Sequence, residues 1–217
     1  MTLTLGEVLF EPGIVPGHVY FPHAGTMIAL ALPLAEGGSA EMATIGDEGA
    51  AGLGLDAADP EPDPLTRGIV RIPGPADRIA TARLADAAAG SPLLRRLLAR
   101  HAEASVAMAL HAAACHGRHP LPARLATWLL TALDRAPRGE PAIPLTQEFL
   151  AERLGIHRAT LSPALLSLRR DRMLRVRRGR VLVLDRAALE HAACGCRAAV
   201  RRRFARLSEH IGPGTAP

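Results

Sequence analysis

At 217 residues and 48% apolar composition, the chain can bury a substantial core, and with aromatics at 3% that core must come from Leu, Ala, Val and Ile. The net charge is +5 and every basic side chain is arginine, with no lysine. A GC-rich coding sequence would also give an arginine- and alanine-rich protein, so where the arginines sit weighs more than their number. No stretch approaches the ~18 apolar residues of a membrane span. The start, MTLTLGEVLFEPG, lacks the basic and apolar regions of a secretory signal. Three cysteines do not make a disulfide framework, so a soluble cytoplasmic protein is expected.

The first 80 or so residues read as β structure. Short apolar runs at Val8-Leu9-Phe10, Val19-Tyr20-Phe21 and Met27-Ile28-Ala29-Leu30 alternate with turn pairs such as Pro12-Gly13, Pro16-Gly17, Gly37-Gly38 and Gly46-Asp47. That spacing predicts a barrel, roll or sandwich. Residues 56–64 (DAADPEPDP) are acidic and proline-rich, the composition of an exposed loop. The glycines around Gly46-Asp47-Glu48-Gly49 resemble a phosphate cradle only loosely, because no helix and lysine follow; turn glycines are the better reading.

From Ser91 the texture changes. Ser91 is placed to cap a helix with Pro92 at its first position. No Gly or Pro then intervenes until about Cys115. Leu94, His101, Met108 and Cys115 recur every seven residues, with Leu98, Ser105 and Ala112 filling the alternate seam. Such a stripe with small residues fits a close helix–helix dimer contact; the alternative is one long helix packed on its own domain. Gly117, Pro120 and Pro122 close the segment. The expected organisation is 1–90 as a sensor-like β domain, 91–117 as a dimerisation helix and 118–217 as a further domain.

The most specific signal is QEFLAERLGIHRATLSPALL, beginning at Gln147. Thr146 would cap a first helix, with Leu150 and Leu154 on its buried face and the small Ala151 where two helices cross. Gly155 takes the tight turn, Ile156 should be buried in the turn, and Leu161 and Leu165 anchor a second helix. These spacings are those of a helix-turn-helix. Leu174-Arg175-Val176 and Val181-Leu182-Val183-Leu184 then read as a hairpin with a basic, glycine-containing tip, which is a wing. From Arg153 to Arg186 there are ten arginines and two acids, on surfaces that would meet phosphate.

Double-stranded DNA is therefore the expected partner. Arg158 and Thr160 open the second helix, whose N-terminal residues would enter the major groove, and Arg158 is the candidate for a bidentate guanine contact. His157 and Ser162 are further candidates for base or phosphate contact, with Ala159 beside them on the DNA-facing side; Thr146 and Gln147 should touch backbone, and Arg177, Arg178 and Arg180 should touch phosphates. Pro163 removes a helical hydrogen bond and should bend the second helix.

The segments PLTQEFLAERLGIHRATLSPAL and RRGRVLVLDRAALEHAACGC resemble the Crp/Fnr family of transcription regulators, in particular a branch whose winged domain ends in paired cysteines. VLFEPG, HVYFPHAG and IGDEGAAGLGL are similar to that family's β-roll. The resemblance implies an α+β fold: an N-terminal β-roll (a cyclic-nucleotide-binding-like jelly roll), a long dimerisation helix and a C-terminal winged helix-turn-helix. It further implies a homodimer on a palindromic operator, with RNA polymerase as a candidate partner and an effector that the residues do not name. The family's ribose-binding Gly-Glu pair falls at Gly52-Leu53 and its phosphate-binding pair near Thr66-Arg67. Neither matches, so cyclic AMP is not expected to bind. Ala159 stands where well-known members carry a glutamate, and Pro163 where they carry an arginine, so the DNA site is not transferable from them.

No catalytic group and no cofactor are expected. His111, Cys115 and His119 would align at i, i+4 and i+8 if their helix ran past Gly117, which would suit metal or haem; a seam of small and polar residues is the plainer reading. Cys194 and Cys196 are redox candidates, but one C-x-C pair lacks the second pair of a closed zinc site.

Overall fold

A computed structural model of the chain describes residues 1–54, 61, 63–137, 142–177 and 179–208. Seven strands open it: β1 (Thr2–Leu3), β2 (Val8–Phe10), β3 (His18–Pro22), β4 (Met27–Pro33), β5 (Ser39–Ile45), β6 (Arg67–Ile72) and β7 (Gly74–Ala80). They form two antiparallel sheets, ordered β2-β6-β4-β5 and β1-β7-β3. Leu3, Tyr20 and Ala76 from one sheet share a core with Phe10, Ile28, Ile45 and Val70 from the other, which closes the expected β-roll. Most of the loop expected at 56–64, and residues 138–141, lie outside the described residues.

Helix α1 (Thr81–Gly90) follows, an element that the sequence pattern does not separate from the β segment. Helix α2 (Pro92–Arg118) begins as expected: Ser91 Oγ accepts a hydrogen bond from the Leu94 N–H at 3.3 Å, and Pro92 occupies the first turn. The helix runs through Gly117, and His119 is its C-cap. Its 27 residues make a rod about 40 Å long.

Helix α3 (Leu121–Arg135), strand β8 (Ala142–Pro144), α4 (Gln147–Leu154), α5 (Arg158–Arg170), β9 (Leu174–Arg177) and β10 (Arg180–Val183) build the winged helix-turn-helix. The wing sheet is ordered β8-β10-β9, with Arg180 opposite Arg177. The short β8 carries no signal of its own in the sequence; it completes the sheet by pairing Ile143 with Val181. Helices α6 (Arg186–Ala192) and α7 (Cys196–Ser208) end the described chain. Asp185 caps α6 by accepting from the Ala188 N–H at 2.9 Å.

The core of the winged unit extends into the roll. Leu125, Leu129, Leu130, Leu150, Leu154, Leu161, Leu165 and Leu174 pack with Met27 of β4 and Ile72 of β6. Strand β4 thus has Met27 against the helices and Ile28 in the roll core. A strand covered on both faces reads as a continuous apolar run, and this one does.

Candidate nucleic-acid interface and the contacts that set it

The local chemistry of the helix-turn-helix follows the sequence closely. Thr146 Oγ1 accepts from the Phe149 N–H at 3.2 Å, capping α4. Gly155 turns the chain with φ +61°, where a side chain would be strained. Leu150, Ala151, Leu154, Leu161 and Leu165 are buried as required, and Ile156 is half-buried. The helix expected to bend at Pro163 is assigned as one element through it. Proline sits early in α5 on its exposed side, so only the bond to the Ala159 carbonyl is forfeited.

The residues singled out from the sequence around the start of α5 all face outward. His157, Arg158, Ala159, Thr160 and Ser162 are all exposed, and Ser162 Oγ donates to the Arg158 carbonyl at 3.4 Å. Arg158 Nη1 lies 2.5 Å from a carboxylate oxygen of Glu148 on α4. Thr146 is exposed and Gln147 half-buried. On the wing, Arg177 and Arg180 flank Gly179 and are exposed; Arg178 lies outside the described residues. Arg169, Arg170, Arg172 and Arg175 are exposed too, so basic side chains run from α5 into the wing.

Within the chain, much of the heptad stripe on α2 faces the roll and α7. Leu98 is buried and Leu94 half-buried against Val19, Ala50, Leu84 and Ala88. Met108 is buried with Ala104, Ile28 and Phe204, and Cys115 is buried at the far end. His101 accepts from the Ala50 N–H through Nε2 at 3.1 Å and meets the Phe204 ring edge-on. Part of the stripe is thus packed on the roll and α7, with Leu94, His101, Ser105 and Ala112 half-buried; heptad spacing alone does not say which apolar surface a helix meets. The opposite side of α2 stays open, with Ala99, Glu103, Val106, Leu110 and Ala113 exposed.

Sequence reasoning missed Glu41, which joins roll and winged unit. This β5 carboxylate is 1% exposed, and Arg153 of α4 reaches it with Nε 2.9 Å from Oε1 and donates to its backbone carbonyl at 2.7 Å. Trp128 Nε1 donates to it at 3.4 Å, and Arg71 Nε lies 3.6 Å away. Arg71 also covers the Phe149 ring at 4.2 Å, and Phe149 meets Trp128 edge-on. Nearby, Arg135 of α3 contacts Glu48 and donates to the Thr44 carbonyl at 3.2 Å. No spacing rule links position 41 to position 153.

A second cluster lies where α2 meets the α6–α7 connection. Cys115, His119, Cys194 and Cys196 place their ligand atoms within 4.8 Å of one another. Burial, reinforced by Cys194 and Cys196, pushes the Cys115 thiol up to about 12. Burial also acts upward on Cys194, but hydrogen bonds from Thr127, the Cys196 backbone and the other two thiols hold it below the usual value. Burial, then the charges of Arg124 and Arg153, push His116 down to about 4. On the same side Asp134 gathers Arg186 at 2.7 Å and Arg197 at 2.5 Å. Burial raises its carboxyl, and these guanidinium groups more than offset that.

With this geometry in place, known proteins provide a frame. Residues 123–192 match the family model described as the Crp-like helix-turn-helix domain. The winged unit is therefore similar to the Crp-like helix-turn-helix domain over that stretch. The chain superposes on FixK2 from Bradyrhizobium japonicum at 18% identity and TM-score 0.72, covering 89% of this chain and 96% of that one. A transcriptional regulator of the CRP/FNR family from Thermus thermophilus gives 20% identity, TM-score 0.70 and coverage of 89% and 97%. A second Thermus thermophilus regulator, of the CRP family, gives 21%, 0.70, and 89% and 96%. At these identities the likeness is one of fold, and the chain carries the Crp/Fnr-type regulator fold from roll to wing. No curated protein sequence matches it. Among the described residues no helix is long and apolar enough to cross a membrane.

Proposed function

We propose that this Crp-like chain is a sequence-specific transcription regulator that binds a palindromic operator as a homodimer and does not respond to cyclic AMP. The observation that carries the reading is the exposed N-terminal half of α5, His157 to Ser162, set beside the arginines of the wing. In this role Arg158 reads a guanine, with His157, Ala159, Thr160 and Ser162 along the same groove edge. Thr146, Gln147, Arg177, Arg178 and Arg180 engage phosphates and fix the register.

Two copies would meet through the open face of α2, where Val106 and Leu110 stand among alanines, because much of the heptad stripe is already occupied. A two-fold axis between the helices presents one α5 to each half-site.

Electrostatics oppose cyclic AMP binding. Gly52, Leu53 and Thr66 line a cavity of about 170 Å³ between roll and α2, together with Ser105 and Asp63. Leu53 offers no carboxylate to a ribose, and Arg67 is engaged with Glu11 at 2.6 Å. A cyclic phosphate there would meet Asp63 without a cation, at a large desolvation cost.

Selection from random duplex DNA, with wild type and Arg158→Ala in parallel, tests the proposal. A palindromic motif that loses one position in the variant supports it. Failure of both proteins to enrich any sequence, with and without cyclic AMP, would overturn it in favour of an interaction module.

A further inference from the structure

Cys115 and His119 sit one turn apart at the end of α2, while Cys194 and Cys196 flank Gly195 between α6 and α7. The fold brings these two pairs, 75 and more residues apart, to a single point. Cys115 Sγ and Cys194 Sγ are 3.5 Å apart, and Cys196 Sγ and His119 Nδ1 are 3.6 Å apart. A tetrahedral zinc ion, with bonds of about 2.3 Å to sulfur and 2.0 Å to nitrogen, sets its ligand atoms about 3.5–3.8 Å apart. We propose that Cys115, His119, Cys194 and Cys196 form a closed Cys₃His zinc site that fastens the end of α2 to the α6–α7 connection.

The donor set selects the metal. Three thiols and an imidazole suit zinc and exclude the hard cations magnesium and calcium, which take oxygen ligands. The mutual distances suit one ion, not a polynuclear cluster, whose terminal thiolates stand farther apart around the inorganic core. Four protein ligands fill the coordination shell, so the site is structural and leaves no position for substrate.

The surroundings meet two further demands. Metal-bound sulfur needs hydrogen-bond donors, and the Thr127 hydroxyl of α3 lies 3.1 Å from Cys194 Sγ while accepting from the Cys194 backbone N–H at 3.0 Å. Zinc binding releases three thiol protons and leaves a site of net charge −1. Arg124 faces these thiols, and its enclosed Nε has no hydrogen-bond partner among the described residues. Its guanidinium also donates to the Leu154 carbonyl, at the end of the first helix of the helix-turn-helix. A loaded site would therefore hold the base of α2, the start of α7 and the last turn of α4 in one arrangement.

The test uses the full-length protein purified with reductant, without added chelator, and does not depend on DNA binding. Elemental analysis should give one zinc per protomer, and cobalt exchange should give tetrahedral thiolate spectra. Cys196→Ser and His119→Ala should each lower zinc affinity at least tenfold. Zinc should raise the wild-type melting temperature and leave that of Cys194→Ser unchanged. Circular dichroism of the variants in chelator, matching that of chelated wild type, guards against misfolding. Three results would overturn the proposal: no bound metal together with a Cys115–Cys194 disulfide by mass spectrometry, iron and sulfide in place of zinc, or full zinc retention by the Cys194→Ser/Cys196→Ser double variant.

Discussion

Arg158 Nη1 stands 2.5 Å from a Glu148 carboxylate oxygen, so the side chain proposed to read a base is held by an acid of the preceding helix. Both partners are mostly exposed, and the pair adds little to stability. In the proposed complex it would compete with DNA for the guanidinium. Glu148→Gln should tighten binding to duplex DNA several-fold without moving the melting temperature. Arg158→Ala should weaken binding to the selected operator by roughly 1–3 kcal/mol and relax one position. Fluorescence anisotropy at fixed salt measures both; an unchanged affinity for Glu148→Gln would show that the two side chains do not exchange partners on binding.

The wing should behave differently. Arg177→Ala and Arg180→Ala remove charges proposed to face phosphate, so each should weaken specific and random duplexes alike. Each should also reduce the slope of log affinity against log salt by about 1. A loss confined to one base position would place these residues at base edges instead.

Glu41 is nearly inaccessible and answers Arg153, Arg71 and Trp128 together. Glu41→Gln leaves buried guanidinium groups without their charge partner and should cost about 3–5 kcal/mol in urea unfolding. The double variant Glu41→Met/Arg153→Met should recover part of that loss. A cost below about 1 kcal/mol for Glu41→Gln would mean that water, not the carboxylate, solvates these arginines.

His101 carries a pH dependence. Burial lowers its pKa, the Glu48 charge works against that, and its Nε2 must stay unprotonated to accept from Ala50. The unfolded chain, with a pKa near 6.5, takes up the proton first. The stabilisation is therefore complete above about pH 6.5 and is lost as the pH falls toward the folded-state value. Melting temperatures of wild type should drop more steeply between pH 7 and 5 than those of His101→Gln, whose amide oxygen can still accept. Parallel curves would sink this assignment.

On α2, Leu110→Arg should yield a folded monomer by sedimentation, because Leu110 is 66% exposed. Leu98→Arg should destabilise the chain itself, since Leu98 is 7% exposed inside the roll contact. The reverse pattern would restore the heptad stripe as the seam between copies.

Local signals account for what was legible in the sequence. Ser91 with Pro92, Thr146, and Gly155 between leucine pairs fix caps, turns and faces within a few residues of themselves. Those positions emerge where the sequence places them, as do the strands at Val8, Val19 and Met27 and the wing around Gly179. What escaped depends on distant partners. The α2 stripe has the right period, but its contacts lie at Val19, Ala50 and Phe204. Cys194-Gly-Cys196 lacked a second pair only because Cys115 and His119 arrive from another helix. An acid at 41 acquires meaning only once α4 is laid across β5.

Met27 and Ile72 sit among the leucines of the helical unit, so the roll supplies part of the floor on which those helices rest. A chimaera that transplanted only the C-terminal third onto another sensor would carry a bare greasy patch where that floor had been, together with an orphaned Arg153. The smallest portable piece of this chain includes strands β4 to β6, and exchange of helical units between chains of this fold would have to bring the matching sheet along.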